Sequence, residues 1–235
     1  MSSVFDCLDA SQLLPAMRAA RTTIARGELI VLPTDTVYGV GADAFSPAAV
    51  KRLLEAKGRG RNQPPPVLVG TTDAMRALVA EVPAEVSALV ERFWPGALTI
   101  VLPAQPSLTW DLGDTKGTVA VRMPDNTIAR ELLQETGPLA VSSANLTGQP
   151  AANTIVEAQN MLADSIGVYL DGGEAGAGMS STIIDATQLV GGGEAERVVR
   201  VLREGGITRA QLRDVLGDVL EPDPAPAEPE TGGTS

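Results

Sequence analysis

A four-residue apolar run that proline interrupts is the feature that most constrains the fold of this chain. The run covers residues 29–32, and Pro33 stops it. A short continuous apolar run of this kind is typical of a buried strand that ends at a loop. The loop starts T-D-T, and Gly39 and Gly41 follow. Hydroxyl groups just past a strand, with glycines that let the backbone approach a ligand, are typical of a binding site in an α/β sheet. A strand and turn without a ligand remains the alternative.

Short apolar segments alternate with amphipathic ones along most of the chain. Residues 118–122 form a strand-like segment that ends before a proline, and residues 138–141 run into S-S-A-N. Near the end, segments 182–184 and 198–202 flank three glycines like a hairpin. Helices are predicted over 11–26, 47–57, 72–80, 83–93, 126–134, 154–163 and 208–216. The pattern predicts an α/β fold with a twisted, mixed, mostly parallel sheet flanked by helices.

The acidic charge is concentrated near the end of the chain. The 235 residues carry 18 Lys and Arg against 29 Asp and Glu, a net charge of −11. From residue 218 onward there are acids and no bases, and 221–235 is rich in proline with no apolar residue larger than alanine. Such a segment cannot bury enough surface to offset its ordering entropy. We expect one domain over 1–217 and a disordered tail over 218–235, whose removal should leave activity unchanged.

The counts of cysteine and histidine exclude several kinds of site. Cys7 is the single cysteine, so no internal disulfide can form, and the chain has no histidine. Ser-His-Asp and Cys-His catalysis are therefore excluded, and a zinc site is disfavoured. No secretory pattern opens the sequence and no window approaches 18 consecutive apolar residues, so we expect a cytoplasmic protein without membrane contact.

Three polar features follow predicted strands or helices. Lys57 and Arg59 flank a glycine and would suit a polyphosphate, although a solvated basic loop is the alternative. Ser143 and Asn145 offer a hydroxyl and an amide, or only a turn with a cap. Arg122 is a lone cation in an apolar strand and needs an anion, from the protein or from a ligand. Together the three features favour an anionic ligand that carries hydroxyls, without a Walker A or G-x-G-x-x-G sequence.

Six motifs occur in a fixed order: P-T-D-T-V-Y-G-V-G-A-D, A-K-G-R, V-A-V-R-M-P, S-S-A-N-L-T-G, S-S-T-I-I-D and V-L-R-E-G. In these motifs the chain resembles the Sua5/YrdC/YciO family, specifically its L-threonylcarbamoyladenylate synthases, over residues 9–216. The resemblance implies a single YrdC-like domain with a concave ligand-binding face, in the short form that lacks an additional C-terminal domain.

The resemblance also implies a reaction. L-threonine, bicarbonate and ATP would give threonylcarbamoyl-AMP and pyrophosphate, with Mg²⁺ bound to the phosphates of ATP and no metal held by the protein. A tRNA threonylcarbamoyl transferase complex would consume the product, and direct binding of tRNA is left open. The carboxylate of a threonine carbamate is already a nucleophile, so the protein would act by aligning two anions and neutralising charge.

Site residues are implied position by position. Lys57 and Arg59 would be the catalytic residues and would hold the ATP phosphates. The implied L-threonine contacts are Thr34, Arg122, Ser143 and Ser181. The implied ATP contacts are Lys57, Arg59, Thr118, Asn145, Asn153 and Arg203.

One departure and two alternatives accompany this interpretation. Gly70 stands where many relatives have histidine, so a contact with threonine should be lost or replaced. The first alternative is an RNA-binding or ribosome-maturation protein on the same fold, which would use the basic cluster of 57–61. The second is a carbamoyl-adenylate enzyme of the hydrogenase-maturation type, which the lack of cysteine-rich zinc modules disfavours.

Overall fold

The computed structural model describes residues 2–176, 178–191 and 197–223, and in these residues one ten-stranded mixed sheet is flanked by seven α-helices. The strands are β1 Ser3–Asp6, β2 Ile30–Leu32, β3 Gly39–Asp43, β4 Val67–Leu68, β5 Leu98–Pro103, β6 Thr118–Arg122, β7 Leu139–Ser143, β8 Val168–Asp171, β9 Thr182–Asp185 and β10 Arg200–Arg203. The helices are α1 Ala10–Ala25, α2 Pro47–Lys57, α3 Thr72–Leu78, α4 Ala84–Phe93, α5 Thr127–Thr136, α6 Ile155–Leu162 and α7 Arg209–Leu216. The predicted α/β fold and the hairpin of β9 and β10 are confirmed.

Residues at both ends of α2 explain where this helix starts and stops. The basic segment 57–61 begins at its last residue. The Ser46 side chain caps its first turn by accepting a hydrogen bond from the Ala49 amide, and Pro47 occupies the first turn. Proline suits this position because its missing N–H would have no helical partner there. Gly58 ends the helix with φ +63°, a left-handed conformation that favours glycine. The chain direction therefore changes sharply between Lys57 and Arg59.

The strand order is β1-β8-β2-β3-β7-β4-β6-β5-β9-β10. Four neighbouring pairs are parallel and five are antiparallel, so the predicted mostly parallel character is wrong. The error arises at β3, because its glycines indicated a loop near a ligand rather than a strand. This strand turns back after β2 and pairs antiparallel with both β2 and β7.

The glycines of β3 allow this strand to pack closely against side chains of the neighbouring strands β2 and β7. A Cβ atom at Gly39 would lie 2.6 Å from Cγ1 of Val141, a distance that real side chains do not tolerate. Gly39 pairs with Ser143 across the β3–β7 ladder. The end of β7 is thereby placed beside the turn that precedes β3, and two of the polar segments singled out in the sequence meet.

Buried side chains cover both faces of the sheet. Those of α3, α4 and α7 pack on β4, β5 and β6. Those of α1 and α5 pack on one face of β2, where Ile30 and Leu32 point, and those of α2 and α6 pack on the opposite face, where Val31 points. None of the described helices is long and apolar enough to cross a bilayer.

The folded part of the chain extends past the predicted boundary at residue 217. Leu220 is buried and forms a β-bridge with Val199. Glu221 pairs with Arg209 at 2.7 Å, and Asp223 pairs with Arg213 at 3.0 Å. The prediction of a tail that starts at 218 is wrong for 218–223, because Leu220 pairs with Val199, just before β10, and two carboxylates pair with arginines of α7. The remainder of the predicted tail, 224–235, lies outside the described residues.

A chain that ends at Gly217 is expected to melt at a lower temperature than one that ends at Asp223. The shorter chain lacks Leu220, and removal of a buried leucine side chain costs about 2–5 kcal/mol. In a domain of this size each kcal/mol lowers Tm by about 2–4 °C. Thermal unfolding of the two truncated chains, followed by circular dichroism, checks the expectation. Equal Tm values would contradict the assignment of 218–223 to the packed body.

Candidate active site

A polar cleft of about 220 Å³ opens beside the end of β7. It is lined by eight hydroxyl-bearing residues: Thr34, Thr36, Tyr38, Thr99, Ser142, Ser143, Ser180 and Ser181. Three guanidinium groups also reach it, those of Arg59, Arg122 and Arg203. Apolar walls come chiefly from Pro64, Pro66, Leu68, Val141 and Ile183. The cleft therefore combines hydrogen-bonding groups with a concentration of positive charge.

The three arginines outnumber the carboxylates that pair with them. Burial lowers the pKa of each guanidinium, and the charge of Arg203 adds to this effect at Arg122, as that of Arg59 does at Arg203. Asp35 forms a salt bridge with Arg122, whereas Arg59 and Arg203 form none among the described residues. The Nε atom of Arg59 is buried and has no hydrogen-bond partner in the described part of the chain. Arg59 is half-buried and has no carboxylate partner among the residues that the structure describes. Partial desolvation of an unpaired cation is costly, so the cleft suits an anionic ligand.

Arg122 joins three segments around the cleft. Its Nε donates to the carbonyl oxygen of Gly96 at 2.9 Å, and one terminal nitrogen donates to Thr36 Oγ1 at 3.0 Å. The other terminal nitrogen lies 2.6 Å from Asp35 Oδ1, and the exposed fractions of the two side chains are 8% and 16%. The sequence left open whether the anion facing Arg122 comes from the protein or from a ligand. The protein supplies one carboxylate, and Arg122 still lines the cleft.

Arg203 and Ser181 also line the cleft and are hydrogen bonded to one another. The Arg203 guanidinium donates to the carbonyl oxygen of Ser181 from Nε at 3.1 Å and from Nη2 at 2.8 Å. The Ser181 hydroxyl lies 2.8 Å from the Thr99 hydroxyl. These contacts fix the position of both side chains before a ligand binds.

The Thr34 hydroxyl forms hydrogen bonds within the turn that Thr34 begins. Its hydroxyl donates to the carbonyl oxygen of Val37 at 2.6 Å and accepts from the amides of Thr36 and Val37. This side chain closes the T-D-T turn, which forms one wall of the cleft.

The structure brings together six of the ten side chains that the sequence predicts for the site. Those that line the cleft are Thr34, Arg59, Arg122, Ser143, Ser181 and Arg203. Those that do not line it are Lys57, Thr118, Asn145 and Asn153. Whether any of the ten contacts a ligand stays a prediction.

The sequence interpretation missed five hydroxyl groups of the cleft: Thr36, Tyr38, Thr99, Ser142 and Ser180. Four of these, Thr36, Tyr38, Ser142 and Ser180, belong to the motifs already singled out. Thr99 is fully buried in β5. A single hydroxyl within this apolar strand is visible in the sequence and could have indicated a site residue.

Thr118 lies at a second cavity, of about 280 Å³, that adjoins the cleft. Pro64 lines both spaces. The second cavity is bounded mainly by apolar groups, among them Pro65, Val101 and Leu112. The Thr118 hydroxyl donates to the carbonyl oxygen of Thr115 at 2.8 Å.

Lys57 and Asn145 lie together behind the cleft wall. The Lys57 ammonium donates to the carbonyl oxygens of Ser143 and Asn145 and to Asn145 Oδ1. Burial, with the charge of Arg59 adding to it, lowers the pKa of Lys57 to about 7. Asn153 lies elsewhere, and its buried side-chain oxygen has no partner among the described residues.

Gly70 does not line the cleft, and a side chain at this position would point into α5. A Cβ atom there would lie 2.9 Å from the backbone nitrogen of Gln134. Both Gly70→Ala and Gly70→His are therefore expected to lower Tm, since overpacking of this kind costs about 1–3 kcal/mol. Neither variant should bind L-threonine more tightly. Thermal melts of the two variants test this expectation, and a loss of stability in the histidine variant alone would place the clash farther from the backbone.

A family model, Sua5/YciO/YrdC, described as "Telomere recombination", matches residues 22–205. A Mycobacterium leprae protein, provisionally named a threonylcarbamoyl-AMP synthase, is 48% identical over 93% of this chain and 96% of its own length. The threonylcarbamoyl-AMP synthase of Bacillus subtilis is 36% identical over 87% of this chain, which spans 58% of that relative.

Solved structures of this fold include Pyrococcus abyssi Sua5 complexed with L-threonine, which is 36% identical with a TM-score of 0.79. The match covers 88% of this chain and 59% of that one, so the chain spans a little over half of the longer Sua5 protein. Escherichia coli YciO, at 22% identity and a TM-score of 0.74 over 88% of this chain and 97% of its own, shares the fold.

Proposed function

Because the chain belongs to the Sua5/YciO/YrdC family, we propose that it is a threonylcarbamoyl-AMP synthase that uses L-threonine, bicarbonate and ATP. The observation that carries the proposal is the cleft in which three guanidinium groups meet, whereas among the described residues a carboxylate, that of Asp35, pairs with Arg122 alone. Both substrates that the names of the relatives imply carry anionic groups, since L-threonine has a carboxylate and ATP has a triphosphate. The excess of positive charge suits a ligand with several negative charges.

The reaction requires little covalent chemistry from the protein. The amine of L-threonine and bicarbonate give a carbamate with release of water. An oxygen of the carbamate then attacks the α-phosphorus of ATP while the bond to pyrophosphate breaks. The protein must hold two anions together and stabilise the charge that builds on the phosphoryl oxygens and the leaving group. Fixed guanidinium and hydroxyl groups supply both functions.

The charge around each arginine of the cleft indicates which substrate that arginine would bind. Asp35 already neutralises part of the charge of Arg122, so Arg122 suits the single carboxylate of threonine. Arg59 and Arg203 have no carboxylate partner among the described residues, and they suit the more highly charged phosphates. The hydroxyls of Thr34, Ser143 and Ser181, as the resemblance implies, would complete the threonine site.

The nucleoside of ATP would occupy the adjoining cavity that contains Thr118. Its apolar walls suit a flat base, and this cavity adjoins the cleft that the guanidinium groups line, since Pro64 lines both. Asn153, whose buried side-chain oxygen is unpaired, stays a predicted nucleotide contact. Mg²⁺ would enter with ATP, held by its phosphates. No group of three His, Cys, Asp or Glu side chains that could hold a metal occurs among the described residues.

The product would be consumed by an enzyme complex that transfers the threonylcarbamoyl group to an adenosine of tRNA. Whether this chain itself contacts tRNA is a separate question, since its net charge of −11 disfavours broad binding to a phosphate backbone. We keep the cytoplasm as the expected location.

The test is release of pyrophosphate from ATP by the purified protein in bicarbonate buffer, with and without L-threonine. Release that depends on L-threonine, with threonylcarbamoyl-AMP identified by mass, supports the proposal. A folded protein that releases none under these conditions would contradict it. RNA binding that weakens steeply with salt would then favour the RNA-binding alternative.

A further inference from the structure

The K-G-R segment at the end of α2 carries two cations with different surroundings. Arg59 lines the cleft, whereas Lys57 is fully buried behind the cleft wall. The left-handed conformation of Gly58 between them, φ +63°, turns the chain so that the two side chains part. The two cations therefore cannot perform the same task.

The hydrogen-bonding capacity of Lys57 is used entirely inside the protein. An ammonium group has three N–H donors. They face three oxygens: the carbonyl of Ser143, the carbonyl of Asn145 at 2.6 Å and the side-chain Oδ1 of Asn145 at 3.3 Å. No N–H of Lys57 remains for a phosphate in this arrangement.

Asn145 is saturated in the same way. Its Nδ2 donates to the carbonyl oxygens of Leu146 at 2.9 Å and Gln149 at 2.7 Å, while its Oδ1 faces the Lys57 ammonium. The carbonyl oxygen of Lys57 accepts from the Thr147 amide at 3.0 Å. Side chains and backbone together fasten segment 143–149 to the end of α2.

We propose that Lys57 and Asn145 are positioning residues that clamp segment 143–149 and thereby place the Ser143 hydroxyl at the cleft. Arg59 is not part of this clamp, because its contact is to the Ser142 hydroxyl at 3.0 Å, outside segment 143–149. This role differs from the phosphate and nucleotide contacts that the family resemblance implied for Lys57 and Asn145. The consequence for substrate binding rests on the proposed function, whereas the clamp itself does not.

Hydrogen exchange of the protein without ligands tests the clamp directly. Lys57→Met removes the donors and keeps a side chain of similar length. We expect amide exchange in 143–149, measured by mass spectrometry, to rise about tenfold or more, because local opening becomes easier. The amides of Asn145, Thr147 and Gln149, which bond to carbonyl oxygens in this structure, report the change.

Arg59→Ala is the matched control for this measurement. It removes a cation two residues away and the contact to Ser142, but it leaves every described contact within 143–149 in place. Exchange in 143–149 should stay at the wild-type level in this control. Wild-type exchange in a folded Lys57→Met variant would overturn the clamp.

Binding of L-threonine without nucleotide separates positioning from phosphate contact. A displaced Ser143 should raise the Kd for L-threonine in Lys57→Met by about tenfold, since small displacements of a binding group are costly. A direct phosphate role predicts an unchanged Kd for L-threonine and weaker ATP binding alone, and that result would overturn the proposal. Failure of the wild-type protein to bind L-threonine would instead contradict the proposed function, and hydrogen exchange would still decide on the clamp.

Asn145→Ala keeps the proposal testable if Lys57→Met does not fold. It retains the lysine and removes one of its acceptors together with the two side-chain bonds to Leu146 and Gln149. Faster exchange in 143–149 and weaker binding of L-threonine are expected. A folded Asn145→Ala variant with wild-type values for both would overturn the clamp.

Discussion

Arg59→Ala is expected to reduce formation of threonylcarbamoyl-AMP by about two orders of magnitude or more, as the loss of one fixed group that stabilises charge in a transition state does. Arg59 reaches the cleft with no carboxylate partner among the described residues. Among the described residues its side chain donates a hydrogen bond to the Ser142 hydroxyl. Removal of this guanidinium should therefore cost little stability. The measurement is the rate of L-threonine-dependent pyrophosphate release at saturating ATP, with Tm recorded for the same sample.

Arg61→Ala is the matched control for Arg59→Ala. Arg61 lies two residues farther along the same loop and pairs with Asp111 at 2.9 Å and with Asp114 at 3.5 Å, outside the cleft. The side chains of this group are 43–59% exposed, so the pairs are worth little and turnover should stay near the wild-type rate. Equal losses in the two variants would show that the loop, rather than the Arg59 guanidinium, is required.

The sequence predicted which segments meet in the cleft, because polar groups that follow apolar strands collect at one edge of a sheet. The turn after β2, the end of β7 and the arginine of β6 were identified in this way. The direction of each side chain was beyond prediction. In the sequence, Lys57 and Arg59 beside a glycine are equally good candidates for a phosphate contact. The left-handed turn at Gly58 directs Lys57 inward, and this turn could not be predicted.

Two errors in the fold prediction also have physical causes. Gly39 and Gly41 suggest a loop when read alone, but close packing under Val141 requires glycine in a strand at this place. Leu220 lies among acidic residues and prolines, so the composition of this segment predicts disorder. In the structure, buried Leu220 and the two paired carboxylates hold 218–223 against the folded body. In both cases long-range contacts outweigh the local pattern.

Arg122→Met is expected to reduce L-threonine-dependent turnover strongly and to destabilise the fold as well. The variant leaves the Asp35 carboxylate, which is 16% exposed, without its cation. Removal of one partner of a buried ion pair costs about 3–5 kcal/mol. Turnover should fall by about 100-fold or more, because the group expected to hold the threonine carboxylate is lost. Urea unfolding gives the first quantity, and KM values for L-threonine and ATP show which substrate is affected.

The double variant Asp35→Asn with Arg122→Met separates the two effects. It removes both charges, and replacement of a whole buried pair is far less costly than removal of one partner. The double variant should therefore regain much of the free energy of unfolding that Arg122→Met loses. It should not regain turnover, since no cation then faces the threonine carboxylate. Recovery of both quantities together would mean that Arg122 serves the cleft only by neutralising Asp35, and the threonine carboxylate would have to be assigned to another guanidinium group.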